Sequence, residues 1–437
     1  PGEPRVMPLG LAYLAAVVPE HDVQILDLNI EDDPYGSLRR KLQEFGPDVV
    51  GIALRNVDNQ LRNRKDFCYY YKQFPLAANL VREVVPKAAI VGGGAGFSMF
   101  AKIIMERNPA VDFGIYLEGE ESFPLLLRNL NSPEQVPNLF YRKDGEVRFS
   151  RPGALPDLAR LPFPRKDLLN IAVYAQQPSG VGVQTRRGCA ARCAYCNYPA
   201  LNGDLVRTRD PEQIAEEVDE LAVKYWVKEF MFADGLFSTP VSYTYEICRA
   251  IRKRGVKARW GAWCHVPDIS EEFLKETTSA GGNYFVISPD AYSPESLKAM
   301  NKGFTQEEVL RATRLLMKWP GIGFSTAVFV APPGETVGGF FSSLGYFLGT
   351  TLKCKLMRRR GGVGLPRIRI EPDTLVYNMA VKEGLITPQT DLLPENADDV
   401  FNLFYVSPAL RKFDPLITAW LDAMIGLRRI VKGGKHP

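Results

Sequence analysis

The chain has 437 residues, 46% of them hydrophobic and 24% charged, the composition of a globular protein long enough for two or three cores. Its 54 basic and 50 acidic residues leave a net charge of only +4, which argues against a nucleic-acid surface, and no apolar run reaches the roughly 20 residues of a membrane span. Seven cysteines, three of them clustered, argue against a disulfide framework and for a reducing cytoplasm. The first apolar stretch, residues 9–18, is short and lacks a basic leader, so it does not read as a signal peptide.

In chain order, apolar runs at 22–28, 48–54 and 88–93 read as buried parallel strands, and 36–45 and 76–85 as helices. This alternation predicts an α/β, Rossmann-like domain over residues 1–135, with ligands at the carboxyl ends of its strands. Those ends carry Asn29, Arg55 and the run Gly92-Gly93-Gly94-Ala95-Gly96. The proline-rich residues 136–178 read as a linker, with a small hairpin around Lys143-Asp144-Gly145. From 179 the alternation restarts. Strands are expected at 181–185, 229–233, 258–263, 284–288, 323–330 and 367–370, with helices such as 211–224, 305–318 and 336–348 between them. About six βα units predict a partial (β/α)6 barrel over 179–385, with its chemistry at the strand carboxyl ends. Residues 386–437 read as a C-terminal helical segment, with an amphipathic helix at about 415–431.

Cys189, Cys193 and Cys196 follow the first barrel strand with C-x3-C-x2-C spacing. Thiolates suit iron, and cysteines this close on one loop can converge on a single cluster. Three ligands for a four-iron cube leave one iron open to a small chelating molecule. A zinc site would normally show a fourth Cys or His at regular spacing, and Cys264 and His265 lie far along the chain.

The motif, its place after the first strand and the aromatic Tyr195 resemble the radical S-adenosylmethionine superfamily. So do Ser293-Pro294-Glu295-Ser296-Leu297 with Met300-Asn301-Lys302-Gly303, Pro332-Pro333-Gly334-Glu335-Thr336, and Arg369-Ile370-Glu371-Pro372 with Val376-Tyr377. The resemblance implies a [4Fe–4S] cluster on the three cysteines. It also implies S-adenosylmethionine chelating the open iron, with Tyr195, Asp234 and Ser288 near that cofactor. The second strand departs from the family's usual acidic motif: it ends Ala233-Asp234-Gly235, where Asp234 is the candidate for the methionine amino group.

A doubly wound domain ahead of such a barrel resembles the cobalamin-binding domain of B12-dependent members. That likeness implies cobalamin near Asn29, Arg55, Gly92, Gly93, Gly94, Glu118 and Gly119. The family's cobalt-ligating histidine is absent, its place read as Asp27-Leu28-Asn29-Ile30-Glu31, and Arg55 is positioned to lie beneath the corrin. Cobalamin-dependent members are mostly methyltransferases that pass a methyl group from S-adenosylmethionine through methylcobalamin to the substrate. Arg55 and the altered second strand resemble the tryptophan 2-C-methyltransferase of thiopeptide antibiotic biosynthesis. The substrate would then be a small molecule such as L-tryptophan, with an external electron donor and neither nucleic acid nor membrane as partner. Arg55 and Tyr284 are the candidate catalytic residues. Trp260, Trp263 and Tyr292 are further aromatic candidates, each weighed against ordinary core packing. A methylthiotransferase would need three more cysteines in the front domain, where only Cys68 stands. A radical cyclase, a radical methylase or a non-catalytic cobalamin-binding protein are the alternatives.

Overall fold

The computed structural model describes residues 5–431, with side chains through 424. The run at 48–54 forms strand β1 (Val49–Ala53), which pairs in parallel with β2 (Ala89–Gly93), and β2 with β3 (Phe113–Ile115). The helix Pro34–Phe45 begins where Asp33 accepts a bond from the Gly36 amide and Pro34 sets φ for the first turn. It ends at Gly46 in the left-handed conformation.

The expected strand at 22–28 does not form. The segment joins no ladder and ends in a turn at residue 28, which leaves β1 at the sheet edge. Its half-buried Asp27 is drawn out of any strand register, accepting from the Tyr174 hydroxyl (2.6 Å) and from the Asn29 amide and side chain. The hairpin does form: β4 (Leu139–Lys143) and β5 (Glu146–Phe149) flank Asp144 and Gly145, both at positive φ. β4 lies antiparallel on β3, so residues 139–149 extend the front sheet instead of linking it to the barrel.

The second sheet holds β6 (Gly182–Val183), β9 (Glu229–Phe232), β10 (Arg259–Cys264), β11 (Gly282–Asp290), β12 (Gly323–Val328) and β13 (Gly361–Gly364). They are adjacent in that order and all parallel. A short antiparallel pair, β7 (Arg186–Arg187) with β8 (Arg207–Thr208), brackets the cysteine loop. The sixth strand is displaced from its expected place. Pro366 has no N–H to continue the ladder, and residues 367–370 turn away to bond the segment 403–405.

Along β9–β12 the side chains alternate. Phe230, Phe232, Trp260, Phe285 and Ile287 are buried beneath the helices, whereas Met231, Trp263, Val286, Ser288 and Ala327 are only partly covered. The second set therefore lines an open lumen. The helix Gln306–Lys318 starts with a reciprocal capping box between Thr305 and Glu308. The helix Asp414–Val431 is held at its first residue, where Asp414 pairs with Arg62 (2.8 Å) and Arg367 (2.6 Å). Among the described residues, no helix is long and apolar enough to cross a membrane.

Candidate active site

The three cysteines lie on the irregular loop between β7 and the helix Tyr198–Asn202, all half-buried and none in a disulfide. Gly188 turns the chain into the loop at φ 90, where a Cβ would sit 2.0 Å from the Leu205 carbonyl oxygen. Burial pushes the Cys189 thiol up and the Cys196 thiol up to about 12, so without a metal both stay protonated at neutral pH. Among the described residues, no three His, Cys, Asp or Glu side chains converge tightly enough for a single metal ion. Three thiolates on one loop suit a four-iron cube with one iron left open.

Around this loop the fold assembles a polar circuit. Lys302, 8% exposed, donates to Asp290 Oδ2 (2.6 Å) and to Cys193 Sγ (3.4 Å). The Tyr195 hydroxyl donates to the same Asp290 oxygen at 2.6 Å, and its ring packs edge-on against Phe329. Asp290 ends β11 at φ 60, and burial pushes its carboxyl up. Ser288 lies two residues earlier on the lumen face. Sequence spacing did not single out Lys302 or Asp290 as a working pair. The available signal was that both stand at strand or turn ends, next to segments already suspected.

Tyr284 does not sit at the mouth. It is near the amino end of β11, about 20 Å along the strand from Asp290, under the Arg360 guanidinium (5.2 Å to its ring centroid). There it stands at the end of the strand away from Asp290 and the cysteine loop. Trp260 is buried in the aromatic core and donates to the Ala280 carbonyl; Tyr292 is stacked on Tyr346. Trp263, 44% exposed at the carboxyl end of β10, faces the lumen.

Asp234 is fully buried. It accepts from the Thr185 amide (2.8 Å) and hydroxyl (2.6 Å) and from the Arg186 amide (3.2 Å), so both oxygens are engaged in joining strand ends. Glu118 is likewise spent, paired with Arg187 (2.7 Å) and with Arg207. Gly119 packs under Leu14.

On the front sheet, Gly51, Ala53 and Arg55 are exposed on one face of β1 and its exit. A doubly wound sheet normally covers such a face, and a Cβ at Gly51 would meet nothing within 4 Å. Gly94 turns the chain at φ 101 directly against the Leu54 carbonyl, and Gly93 is half-open beside it. Gly92 is different: a Cβ there would meet the Phe97 ring at 2.5 Å, so this glycine serves packing. Asn29 is exposed in its own turn with Asp27. The open, side-chain-poor face suits a broad flat ring, and the Arg55 guanidinium has no hydrogen-bond or ion-pair partner among the described residues, although the Arg55 carbonyl accepts from the Gly96 amide at 2.8 Å.

Between the two sheets, buried Glu371 accepts from Gln60 (2.7 Å) in the loop after β1 and from Asn197 (2.7 Å) beside Cys196. Asp58 of the same loop pairs with Arg369 at 3.0 Å, both side chains fully buried. The loop that follows Arg55 is thereby fastened to the cysteine side.

A glycine-lined α/β face joined to a parallel half-barrel with a three-cysteine mouth defines an iron–sulfur protein that uses both a corrin and a sulfonium cofactor. Residues 183–340 match the Radical SAM superfamily and residues 3–127 the B12 binding domain. The chain belongs to the cobalamin-dependent branch of the radical S-adenosylmethionine superfamily, and its cofactors are a [4Fe–4S] cluster, S-adenosylmethionine and cobalamin. It is 27% identical to an uncharacterised methyltransferase of Pyrococcus horikoshii, over 75% of this chain and 70% of that one. It is 25% identical to the cytidylyl-2-hydroxyethylphosphonate methyltransferase of Streptomyces wedmorensis, over 87% and 82%. It is 26% identical to the anaerobic magnesium-protoporphyrin IX monomethyl ester cyclase of Cereibacter sphaeroides, over 71% of this chain and about half (51%) of that one. In fold it resembles the radical S-adenosylmethionine methyltransferase TsrM of Kitasatospora setae, solved with cobalamin and a [4Fe–4S] cluster and also with tryptophan and aza-SAM. The TM-score is 0.78 at 20% identity, covering 95% of this chain and 86% of that chain in the tryptophan complex.

Proposed function

We propose that the chain is a C-methyltransferase that moves a methyl group from S-adenosylmethionine, by way of cobalamin, to a carbon of a small uncharged aromatic substrate. The first assignment is C2 of L-tryptophan in antibiotic biosynthesis, with an external electron donor as partner. When bound, the cofactors supply the methyl-carrying and redox chemistry, and the protein orients them.

In this reading Cys189, Cys193 and Cys196 hold the cluster. Asn29, Gly93 and Gly94 line the corrin face, and Tyr195 and Ser288 stand beside the sulfonium cofactor. Trp263, Met231, Val286 and Ala327 offer an apolar lumen to an aromatic ring. The observation that carries the reading is Arg55, an exposed and unpartnered cation at the exit of β1. The front face offers no histidine in its place. Were cobalamin held on this face, Arg55 would place a fixed cation beside it in place of an imidazole, which would favour release of the carried methyl group as an electrophile. The engagement of both Asp234 oxygens adds support, because it leaves the second strand without a free carboxylate for the methionine amine.

The test is anaerobic reconstitution with iron, sulfide, cobalamin, methyl-labelled S-adenosylmethionine and a low-potential reductant, then incubation with L-tryptophan. Labelled 2-methyltryptophan with S-adenosylhomocysteine, and no 5′-deoxyadenosine, is expected. Equal amounts of both nucleoside products would indicate radical methylation instead. Product from a tetrapyrrole and none from tryptophan would favour the second reading, radical cyclisation, which the similarity to the cyclase supports.

A further inference from the structure

The turn that carries Lys302 is built around the cluster loop. The Asn301 side chain donates to the Arg192 carbonyl at 2.8 Å, and the Ala194 amide donates to the Met300 carbonyl at 3.0 Å. Asn301 and Gly303, both at positive φ, place Lys302 between them with its amide on the Leu297 carbonyl. Its ammonium is then enclosed by Cys193 Sγ, Asp290 and the rings of Tyr195 (5.6 Å) and Phe304 (5.7 Å). Tyr195 closes the circuit back to the cysteine loop through Asp290.

We infer that Lys302 is a positioning residue that sets the reduction potential of the cluster, and that Asp290 holds it in check. The inference rests on the cluster being borne by the three cysteines, and it is independent of which substrate is methylated. Reduction adds one electron from an external donor to the cube and breaks no bond, so the cube gains one negative charge. A fixed cation bonded to a ligating sulfur favours that reduced state, because cluster potentials follow net charge and hydrogen bonds to the sulfurs. Asp290, 2.6 Å from the same ammonium, offsets part of its field and fixes its direction.

The experiment is an EPR-monitored redox titration of the reconstituted full-length protein and of Lys302→Met, Lys302→Arg and Asp290→Asn. Iron and sulfide per chain are measured first. Lys302→Met should retain its iron and shift the one-electron equilibrium against reduction by about tenfold, a fall of about 59 mV. Lys302→Arg should stay close to wild type, and Asp290→Asn should move the potential upward. The opposite signs are the signature, since simple structural damage would not move the two neutral variants in opposite directions. A fully loaded Lys302→Met with an unmoved potential overturns the inference, as do shifts of the same sign in the two neutral variants. If Lys302→Met assembles no cluster, a loaded Asp290→Asn with a raised potential still supports it, and an unmoved one overturns it. Loss of iron from both assigns the pair to assembly alone and overturns it. Wild-type iron in Cys189→Ala would instead strike at the cluster assignment.

Discussion

In the proposed reading, Arg55 and the cysteine trio separate the two cofactors at the level of single side chains. Cys189→Ala, Cys193→Ala and Cys196→Ala should each abolish the cluster's charge-transfer absorption. Arg55→Ala should keep iron at wild-type level while methyl transfer falls at least tenfold. Iron analysis and product formation measured on the same preparations check this, and loss of iron in Arg55→Ala would undo the assignment of that face. Glu371 gives a pH prediction. Burial pushes its carboxyl from 4.5 to about 7, although Arg369 and the Gln60 bond pull the other way. The folded state therefore binds more protons than the unfolded one between those values. The stabilising contribution is full below 4.5 and is lost as pH rises through about 7, on the order of 3 kcal/mol. Glu371→Gln should remove that loss, so urea unfolding at pH 5 and pH 8 should differ by less in the variant than in wild type. An identical difference in both would refute the placement. These side chains were unequally legible in the sequence. The cysteine spacing announces itself within eight residues, whereas the Cys193–Lys302 bond joins positions 109 apart, and no local pattern encodes it.

At the scale of elements, periodicity located most barrel strands and helices, because burial under a helix layer imposes alternation on β9–β12. It failed where a polar side chain had a better partner outside the sheet. Asp27 and the Tyr174 hydroxyl keep residues 22–28 out of the ladder, and Pro366 moves the sixth strand to β13. Strand membership also does not say which end of the strand a residue occupies, as Tyr284 at the amino end of β11 shows. The glycine run shows the same limit, since Gly92 and Gly94 look alike in sequence but serve packing and turning respectively. Gly94→Ala should therefore be costly: its Cβ would lie 2.6 Å from the Leu54 carbonyl oxygen at φ 101. The strain, of order 1–3 kcal/mol, falls on the turn between β2 and the next helix. Cobalamin retention after gel filtration should drop markedly, while iron per chain stays at wild type. Equal loss of both would mean that the substitution unfolds the chain generally.

Across the whole molecule, the front sheet and the barrel share one apolar core, which includes Ile90, Phe97, Tyr174, Val181, Phe232 and Trp260. Buried charges reinforce the joint. Arg187, 6% exposed, bonds Glu118 (2.7 Å), Glu120 (2.5 Å) and Gln184 (2.7 Å), and its guanidinium lies 5.4 Å from the Tyr13 ring centroid. Glu118 retains Arg207 if Arg187 is removed, but among the described residues Glu120 has no second cation, and it is itself 7% exposed. Arg187→Met should therefore cost about 3–5 kcal/mol, mostly the penalty of an uncompensated buried carboxylate. Adding Glu120→Gln removes that charge, so the double variant should recover at least half of the lost stability, a non-additive result expected only of groups in direct contact. Urea midpoints of the three proteins measure it, and far-ultraviolet circular dichroism and tryptophan fluorescence should report one shared transition because the core is continuous. A double variant no more stable than Arg187→Met would show that the arginine acts through packing. The same clamp ties the segment of Glu118 and Glu120 to the strand before the cysteine loop; in the proposed reading, methyl transfer in Arg187→Met should therefore fall further than its residual folded fraction accounts for, and the double variant should restore part of that deficit as well.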